Sequence, residues 1–261
     1  MKISIVGGDI RNFYLKNILE KEGHEIDLFG FENLENKEKK EFKLNDIIIS
    51  GIPFLQNNNI FTTHGDEINF ANFLNSISER TILIAGNIPN ISCKKIDLLQ
   101  DEIFLKKNAH LTAEGVLQLS LKETDFSLIG ANVMIIGFGR IGSILAKMFN
   151  NLFANVTVVV HLCEDFREST NKGYFTVRYK EINNYINKMD IIINTPTGDI
   201  ITENNLNHIN KESLIIDVSS KPHGVCSNTK NVAKIIWASG LPAKIAPKTG
   251  ALYIRESISI L

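Results

Sequence analysis

The stretch GANVMIIGFGRIG, residues 130–142, decides how the second half of this chain folds. Its apolar run at 133–136 has the length and composition of a buried strand. The chain then turns at once through Gly137, Phe138, Gly139, Arg140, Ile141 and Gly142, a GxGxxG, into a helix-compatible segment at 141–150. A further apolar run at 156–160 completes a βαβ unit of roughly 30 residues, the context in which this glycine pattern carries meaning. The first glycine makes the tight turn, the second lets backbone approach a pyrophosphate, and the third lets helix and strand pack closely. The pyrophosphate then rests on free N–H groups at the positive end of a helix. A glycine turn with no ligand is the bland alternative, and the strand–turn–helix–strand context disfavours it.

Outward from this motif the chain alternates strands and helices in both directions, the pattern of parallel sheets with crossover helices. On the C-terminal side, strands are predicted at 132–136, 156–160, 175–177, 190–193, 214–218 and 234–237, followed by a Gly/Pro-rich loop at 240–250 and a closing helix. On the N-terminal side, strands are predicted at 2–6, 25–29, 46–50, 81–85 and 103–105, with helices at 11–22, 66–78 and 92–99. The charged run 32–41 reads as a solvated loop or helix face, and 57–59 as a turn. A helix over 108–125 joins the halves. The fold expected is α/β, with two doubly wound Rossmann-like domains and a cleft between them. Residues 1–107 form a flavodoxin/Rossmann-like substrate domain, and 108–261 a dinucleotide-binding domain that includes the connecting and closing helices.

Composition removes several classes of function. The 261 residues carry 28 Lys+Arg against 29 Asp+Glu, a net charge of −1, so no global field recruits nucleic acid or an anionic membrane. An anionic ligand must be held by local groups. Cys93, Cys163 and Cys226 are odd in number and far apart, which argues against a disulfide framework or a metal site and for a reducing compartment. Only six residues precede the first glycine pair, too few for a signal segment, and no apolar run nears the ~20 residues that span a bilayer. A cytoplasmic homo-oligomer without membrane, nucleic-acid or metal partners is expected.

Ligands of open α/β sheets bind beyond the carboxyl ends of the strands. Segments expected there are Asn194-Thr195-Pro196, then Ser219 and Lys221 after the fifth strand of the second series, and the 240–250 loop carrying Lys248. The second strand ends at His161, where NAD enzymes usually place a carboxylate for the ribose 2′-hydroxyl. Glu164 and Asp165 follow only three and four residues later. A carboxylate at the tip would repel a 2′-phosphate, so NADP is favoured over NAD, with His161 and Arg140 as donors. In the first half, Gly7-Gly8-Asp9 follows a strand but lacks a third glycine. Asp9 is either a simple helix cap, or the turn with Arg11 forms a carboxylate site. Glu114, placed in the first turn of the connecting helix, is either a dipole-favoured carboxylate or a site residue.

These residues carry a resemblance. IVGGDIR at 5–11, AEG at 113–115, the glycine stretch at 130–142, NTP at 194–196, DVSSKP at 217–222 and above all GLPAKIAPKTG at 240–250 resemble the dipicolinate synthase A subunits along nearly the whole chain. The resemblance implies a sporulation enzyme that oxidises dihydrodipicolinate to pyridine-2,6-dicarboxylate with NADP, together with a flavoprotein-like B subunit. The family tends to carry Arg in place of His161 and Arg-Pro-Gly-Gly in place of Lys221-Pro222-His223-Gly224, and the region 53–66 is shortened here.

The chemistry suits the residues. Aromatisation drives loss of a hydride from one ring carbon and a proton from its neighbour, which asks more for orientation than for a strong base. The sequence offers no evident nucleophile, metal cluster or His–carboxylate pair. Cations for two substrate carboxylates are required, and Arg11, Lys221 and Lys248 are the candidates. Two rivals remain: a D-2-hydroxyacid dehydrogenase, which looks for an Arg where Lys221 stands and a His near the last strand, and a catalytically silent NADP-binding regulatory subunit.

Overall fold

The computed structural model describes residues 1–35, 42–226 and 233–258, so the charged run lies outside the described residues from position 36 onward. In chain order the elements are β1 (Lys2–Val6), α1 (Ile10–Lys21), β2 (Glu25–Phe29), α2 (Glu32–Glu35), β3 (Ile47–Ser50), β4 (Leu55–Gln56), β5 (Asn59–Ile60), β6 (Ile68–Asn69), α3 (Phe70–Asn75), β7 (Ile82–Ala85), β8 (Lys94–Asp97) and α4 (Glu102–Glu123). They continue with β9 (Asn132–Ile136), α5 (Arg140–Asn151), β10 (Asn155–Val160), α6 (Cys163–Asn171), β11 (Phe175–Arg178), β12 (Ile191–Asn194), α7 (Glu203–Leu206), β13 (Leu214–Asp217), β14 (Lys234–Trp237), α8 (Leu241–Ile245) and α9 (Pro247–Glu256). Among the described residues, no helix is long and apolar enough to cross a membrane.

The chain divides into two units, one of residues 1–108 with 242–261 and one of 109–241. The first unit holds a five-stranded parallel sheet in the order β2-β1-β3-β7-β8, the flavodoxin-like arrangement, and a small antiparallel sheet β4-β5-β6. The second holds a six-stranded parallel sheet in the order β11-β10-β9-β12-β13-β14, the dinucleotide-binding arrangement.

Helices on both faces explain why the strands read as continuous apolar runs rather than alternating ones. In β9, Val133 and Ile135 enter one core and Met134 and Ile136 the other. In β12, Ile191 and Ile193 share the first of these cores and Ile192 the second. The first unit repeats the device, with Ile3 and Ile5 on one face and Val6 on the other.

Four local expectations change. The segment expected as a helix over 92–99 pairs with β7 as edge strand β8, then makes a 3-10 turn at Leu98–Gln100. Asp97 causes the change of direction: its carboxylate accepts from the backbone N–H of Asn87, Ile88 and Leu99. The strand expected at 103–105 is the first turn of α4, capped by Asp101, which accepts from the N–H of Ile103 and Phe104. Only Phe104 of that apolar run enters the core, while Ile103 stays exposed. The helix expected over 66–78 begins only at Phe70, where Asn69 caps it by accepting from the N–H of Ala71 and Asn72.

The fourth concerns the C-terminus. The 240–250 segment is helical, as α8 and the first turns of α9, with Pro247 at the first helical position where its missing N–H is harmless. Residues 242–261 belong to the first unit, a correction to the expectation that the closing helix is part of the nucleotide domain. Ala251, Ile254 and Ile258 form an apolar stripe that shares a core with Leu15 and Leu19 of α1. Arg255 Nε donates to Glu22 Oε2 at 2.6 Å, tying α9 to the end of α1.

Candidate functional site

The site grows from the turn between β9 and α5. Gly137 adopts φ +91°, a backbone that only glycine takes without strain, and its N–H donates to Val159 O at 2.8 Å. A Cβ there would stand 2.5 Å from Thr195 Oγ1. A Cβ on Gly142 would stand 2.1 Å from the carbonyl oxygen of Gly137. Gly139 differs from both, because nothing lies within 4 Å of where its Cβ would be. Two glycines are therefore required by the chain's own packing, and the middle one faces open space. Gly139 also caps α5 without a side-chain acceptor, so the first-turn N–H groups are left for an incoming ligand. These residues fit a dinucleotide pyrophosphate.

Around the turn, the expected residues divide by how they contribute. Arg140 is exposed at the first position of α5, and Ile141 is half-buried against the core. Phe138 is 3% exposed, its ring edge-on to Tyr174 and under the Lys172 ammonium, so only its backbone faces the turn. Thr195 donates both N–H and Oγ1–H to Ile136 O, and its position against Gly137 joins the β12 loop to the glycine turn at the sheet's switch point.

Asn194 and Asp217, at the ends of β12 and β13, are completely buried. Asn194 Nδ2 donates to Asp217 Oδ1 at 3.0 Å and to Pro196 O at 2.8 Å. Because both partners only accept, the amide orientation is fixed, and Asn194 Oδ1 is left as a buried acceptor with no donor among the described residues. Asp217 also accepts from the N–H of Ser219, Gly224 and Val225. Four donors thus compensate its buried charge and fold the 217–225 loop around it. Ser219, expected as a cofactor ligand, uses its Oγ to accept from Gly224 N–H at 2.9 Å, while Lys221 is exposed on the same loop. Neither Asp217 nor His223 is among the site residues that the sequence marks. Yet His223 Nδ1 comes within 4.0 Å of Asp217 Oδ2, a His–carboxylate approach that the sequence does not disclose.

His161 is exposed just beyond β10, with its ring 6.4 Å from Tyr179. Burial pushes the Tyr179 hydroxyl up, and that hydroxyl donates to Ile200 O. Pairing of β10 with β11 sets Arg178 opposite Val160, and its guanidinium stacks 4.2 Å from the Phe166 ring centroid. This cation beside the strand tip lies seventeen positions from His161 in sequence, and only the strand register brings it there. Glu164 and Asp165 belong to the first turn of α6 rather than to the tip.

In the first unit, the comparable turn is closed by the protein itself. A Cβ on Gly7 would stand 2.5 Å from Phe61 O, and one on Gly51 2.8 Å from Gly8 Cα. Asp9 caps α1, and its carboxylate also holds the buried Arg11 guanidinium, with Nη2 to Oδ2 at 2.7 Å. The carboxylate that Arg11 meets is thus its own chain's, and Nη1 is directed to Asn108 Oδ1 at 3.3 Å. Lys248 is exposed at the second position of α9, its ammonium 5.7 Å from the Tyr14 ring centroid. Glu114 is exposed well inside α4, not in its first turn, so the helix dipole does not account for it. Its neighbour Gly115 has a packing reason, since a Cβ there would stand 2.9 Å from Leu241 Cβ.

Residues 2–98 match the N-terminal domain of dipicolinate synthase A subunits, and residues 105–236 the NAD-binding domain of D-isomer-specific 2-hydroxyacid dehydrogenases. The chain belongs to the D-isomer-specific 2-hydroxyacid dehydrogenase NAD-binding family, and it is similar to the dipicolinate synthase A subunits. The dipicolinate synthase A subunit of Bacillus subtilis (strain 168) is 28% identical over 286 residues, covering 100% of this chain and 95% of the relative. The crystal structure of the Bacillus subtilis protein superposes with a TM-score of 0.82 at 25% identity, over 100% of this chain and 95% of its own. That of the Bacillus halodurans protein gives 0.84 at 24% identity, over 98% and 95%. The second unit is a nicotinamide-nucleotide-binding domain of dehydrogenase type, in agreement with its strand order and glycine turn.

Proposed function

We propose that this chain is the nicotinamide-binding A subunit of a dipicolinate synthase, oxidising dihydrodipicolinate to pyridine-2,6-dicarboxylate with NADP in the cytoplasm of a sporulating cell. The observation that carries the proposal is the open space at Gly139 between two glycines closed by packing, within a chain similar along its whole length to dipicolinate synthase A subunits. The bound nucleotide supplies hydride acceptance at the nicotinamide ring. Gly137, Gly139 and Gly142 give the pyrophosphate its approach, and the α5 N-terminus its donors. Support for NADP comes from the β10 tip, where His161 and the paired Arg178 replace the carboxylate that would repel a 2′-phosphate.

For the dicarboxylate, Lys248 is the candidate cation. It stands on a helix whose N-cap, Ala246, offers no side-chain acceptor, so first-turn N–H groups and the ammonium are available to the same anion. Lys221, exposed on the β13 loop, is a separate candidate cation on the second unit. Arg11 is proposed to act by fixing the start of α1 through Asp9, its Nη1 turning to Asn108.

The test is turnover of freshly generated dihydrodipicolinate by the purified chain, alone and with a flavoprotein-like B subunit, followed by absorbance of the aromatic product. Little activity alone and a large increase with the B subunit and NADP are expected. Nucleotide binding without aromatisation under either condition would favour a silent regulatory role.

A further inference from the structure

The loop after β13 contains a histidine that the hydride-transfer scheme above leaves unused. His223 Nδ1 lies 3.2 Å from the carbonyl oxygen of Ser219 and 4.0 Å from Asp217 Oδ2. Both are acceptors, so Nδ1 carries a proton, and the neutral ring keeps its lone pair on Nε2. Asp217 cannot swing away, since its carboxylate is completely buried and held by Asn194 and three backbone N–H groups. The Ser219 carbonyl thus orients the imidazole, and the Asp217 carboxylate 4.0 Å from Nδ1 favours the positive charge that appears when Nε2 takes a proton.

The position in the fold matches the need. The next residue, Gly224, is wedged so tightly that a Cβ would stand 2.1 Å from Asn194 Nδ2 and 2.4 Å from Pro196 O. Pro196 itself packs beside Gly137, whose Cβ would stand 3.2 Å from Pro196 Cδ. His223 is therefore anchored, through Gly224 and its close packing on Asn194 and Pro196, to the edge of the sheet that carries the glycine turn. Its side chain is 23% exposed, neither sealed in nor free in solvent.

We propose that His223 Nε2 accepts the proton released when the substrate is oxidised. This rests on the function proposed above. One ring C–H bond breaks with its electron pair leaving as hydride to the nicotinamide nucleotide, which is the oxidant. The neighbouring C–H bond breaks heterolytically, its electrons entering the aromatic ring and its proton passing to Nε2 and then to water. Lone pair, proton and hydride then balance without any further reactant.

Two measurements on the intact chain test this. Nitrogen-15 NMR of the ligand-free protein should show His223 as the Nδ1–H tautomer, and an Nε2–H tautomer would overturn the proposal. The variant His223→Asn keeps a side-chain N–H in the place of Nδ1 for the Ser219 carbonyl but has no Nε2. With the B subunit present it should melt and bind nucleotide like the wild type, yet aromatise dihydrodipicolinate at least ~100-fold more slowly, the usual scale of a lost general base. Added imidazole should restore part of the rate in His223→Ala. Wild-type turnover by His223→Asn overturns this proposal alone, whereas no turnover by the wild-type chain overturns the functional reading and this proposal with it.

Discussion

A Cβ placed on Gly142 would lie 2.1 Å from the carbonyl oxygen of Gly137, whereas one on Gly139 would touch nothing within 4 Å. Two alanine variants should therefore separate folding from binding. Gly142→Ala forces backbone apart and is expected to destabilise the chain by about 1–3 kcal/mol, with nucleotide affinity falling as the turn distorts. Gly139→Ala has an allowed backbone, φ −73°, and should leave the melting temperature unchanged while weakening nucleotide binding. Paired thermal melts and calorimetric titrations check both, and an unchanged nucleotide Kd in Gly139→Ala would show that the pyrophosphate does not approach there.

The nucleotide preference should invert at the β10 tip. His161→Asp places a carboxylate where the ribose 2′-hydroxyl would sit and where a 2′-phosphate would be repelled. NADP is expected to bind more tightly than NAD in the wild type and less tightly in the variant, as measured by fluorescence titration. Arg178→Met should weaken NADP and leave NAD nearly unchanged, because its guanidinium offers a 2′-phosphate a charge-assisted contact. Equal affinities in the parent chain would remove the basis for NADP.

Arg11 and Lys248 are expected to fail differently. Arg11→Met leaves the buried Asp9 carboxylate without its partner, which should cost about 3 kcal/mol or more of stability. Lys248 is exposed, with a ring contact to Tyr14 as its one partner among the described residues, so Lys248→Met should change stability by no more than about 1 kcal/mol. Its kcat/KM should nonetheless fall about 10–100-fold, the scale of one lost charge-assisted contact at 1.4 kcal/mol per decade. Wild-type kcat/KM in Lys248→Met would place the dicarboxylate elsewhere.

Acid sensitivity should arise at the start of α4. Burial raises the Asp101 carboxyl, but the N–H of Phe104, the Ser257 hydroxyl, the N–H of Ile103 and the charge of Lys107 together hold it below its ordinary value. A depressed folded value means stability that is present above the unfolded carboxylate value, ~3.9, and lost as pH falls through the folded one. Asp101→Asn, still a good helix cap, should keep most of its neutral-pH stability and show a shallower loss in acid. Urea midpoints across this range measure the slope, and identical slopes in both proteins would remove Asp101 as the cause.

Long apolar runs and the glycine pattern were legible in the sequence because their physics is local. A strand such as β9, covered on both faces, must be apolar at every position, and a turn such as 137–142 must use glycine wherever backbone meets backbone. Short or mixed segments were not legible. The apolar run at 103–105 fits a strand or a helix turn equally, and Asp101 capping decides it; the polar edge strand β8 exists through its pairing with β7 and the Asp97 turn. The 240–250 segment looks like a loop from its glycines and prolines, yet it forms α8 and opens α9, whose Ala251 and Ile254, with Ile258 just beyond it, find their core beside α1. The sequence by itself thus determined two parallel α/β sheets and the nucleotide turn. Tertiary structure alone decided which unit owns the C-terminus, that Arg11 is spent on Asp9, that Arg178 stands beside the β10 tip, and that Asp217 faces His223. Those relationships depend on strand register and helix packing between residues distant in sequence, where local propensity carries no information.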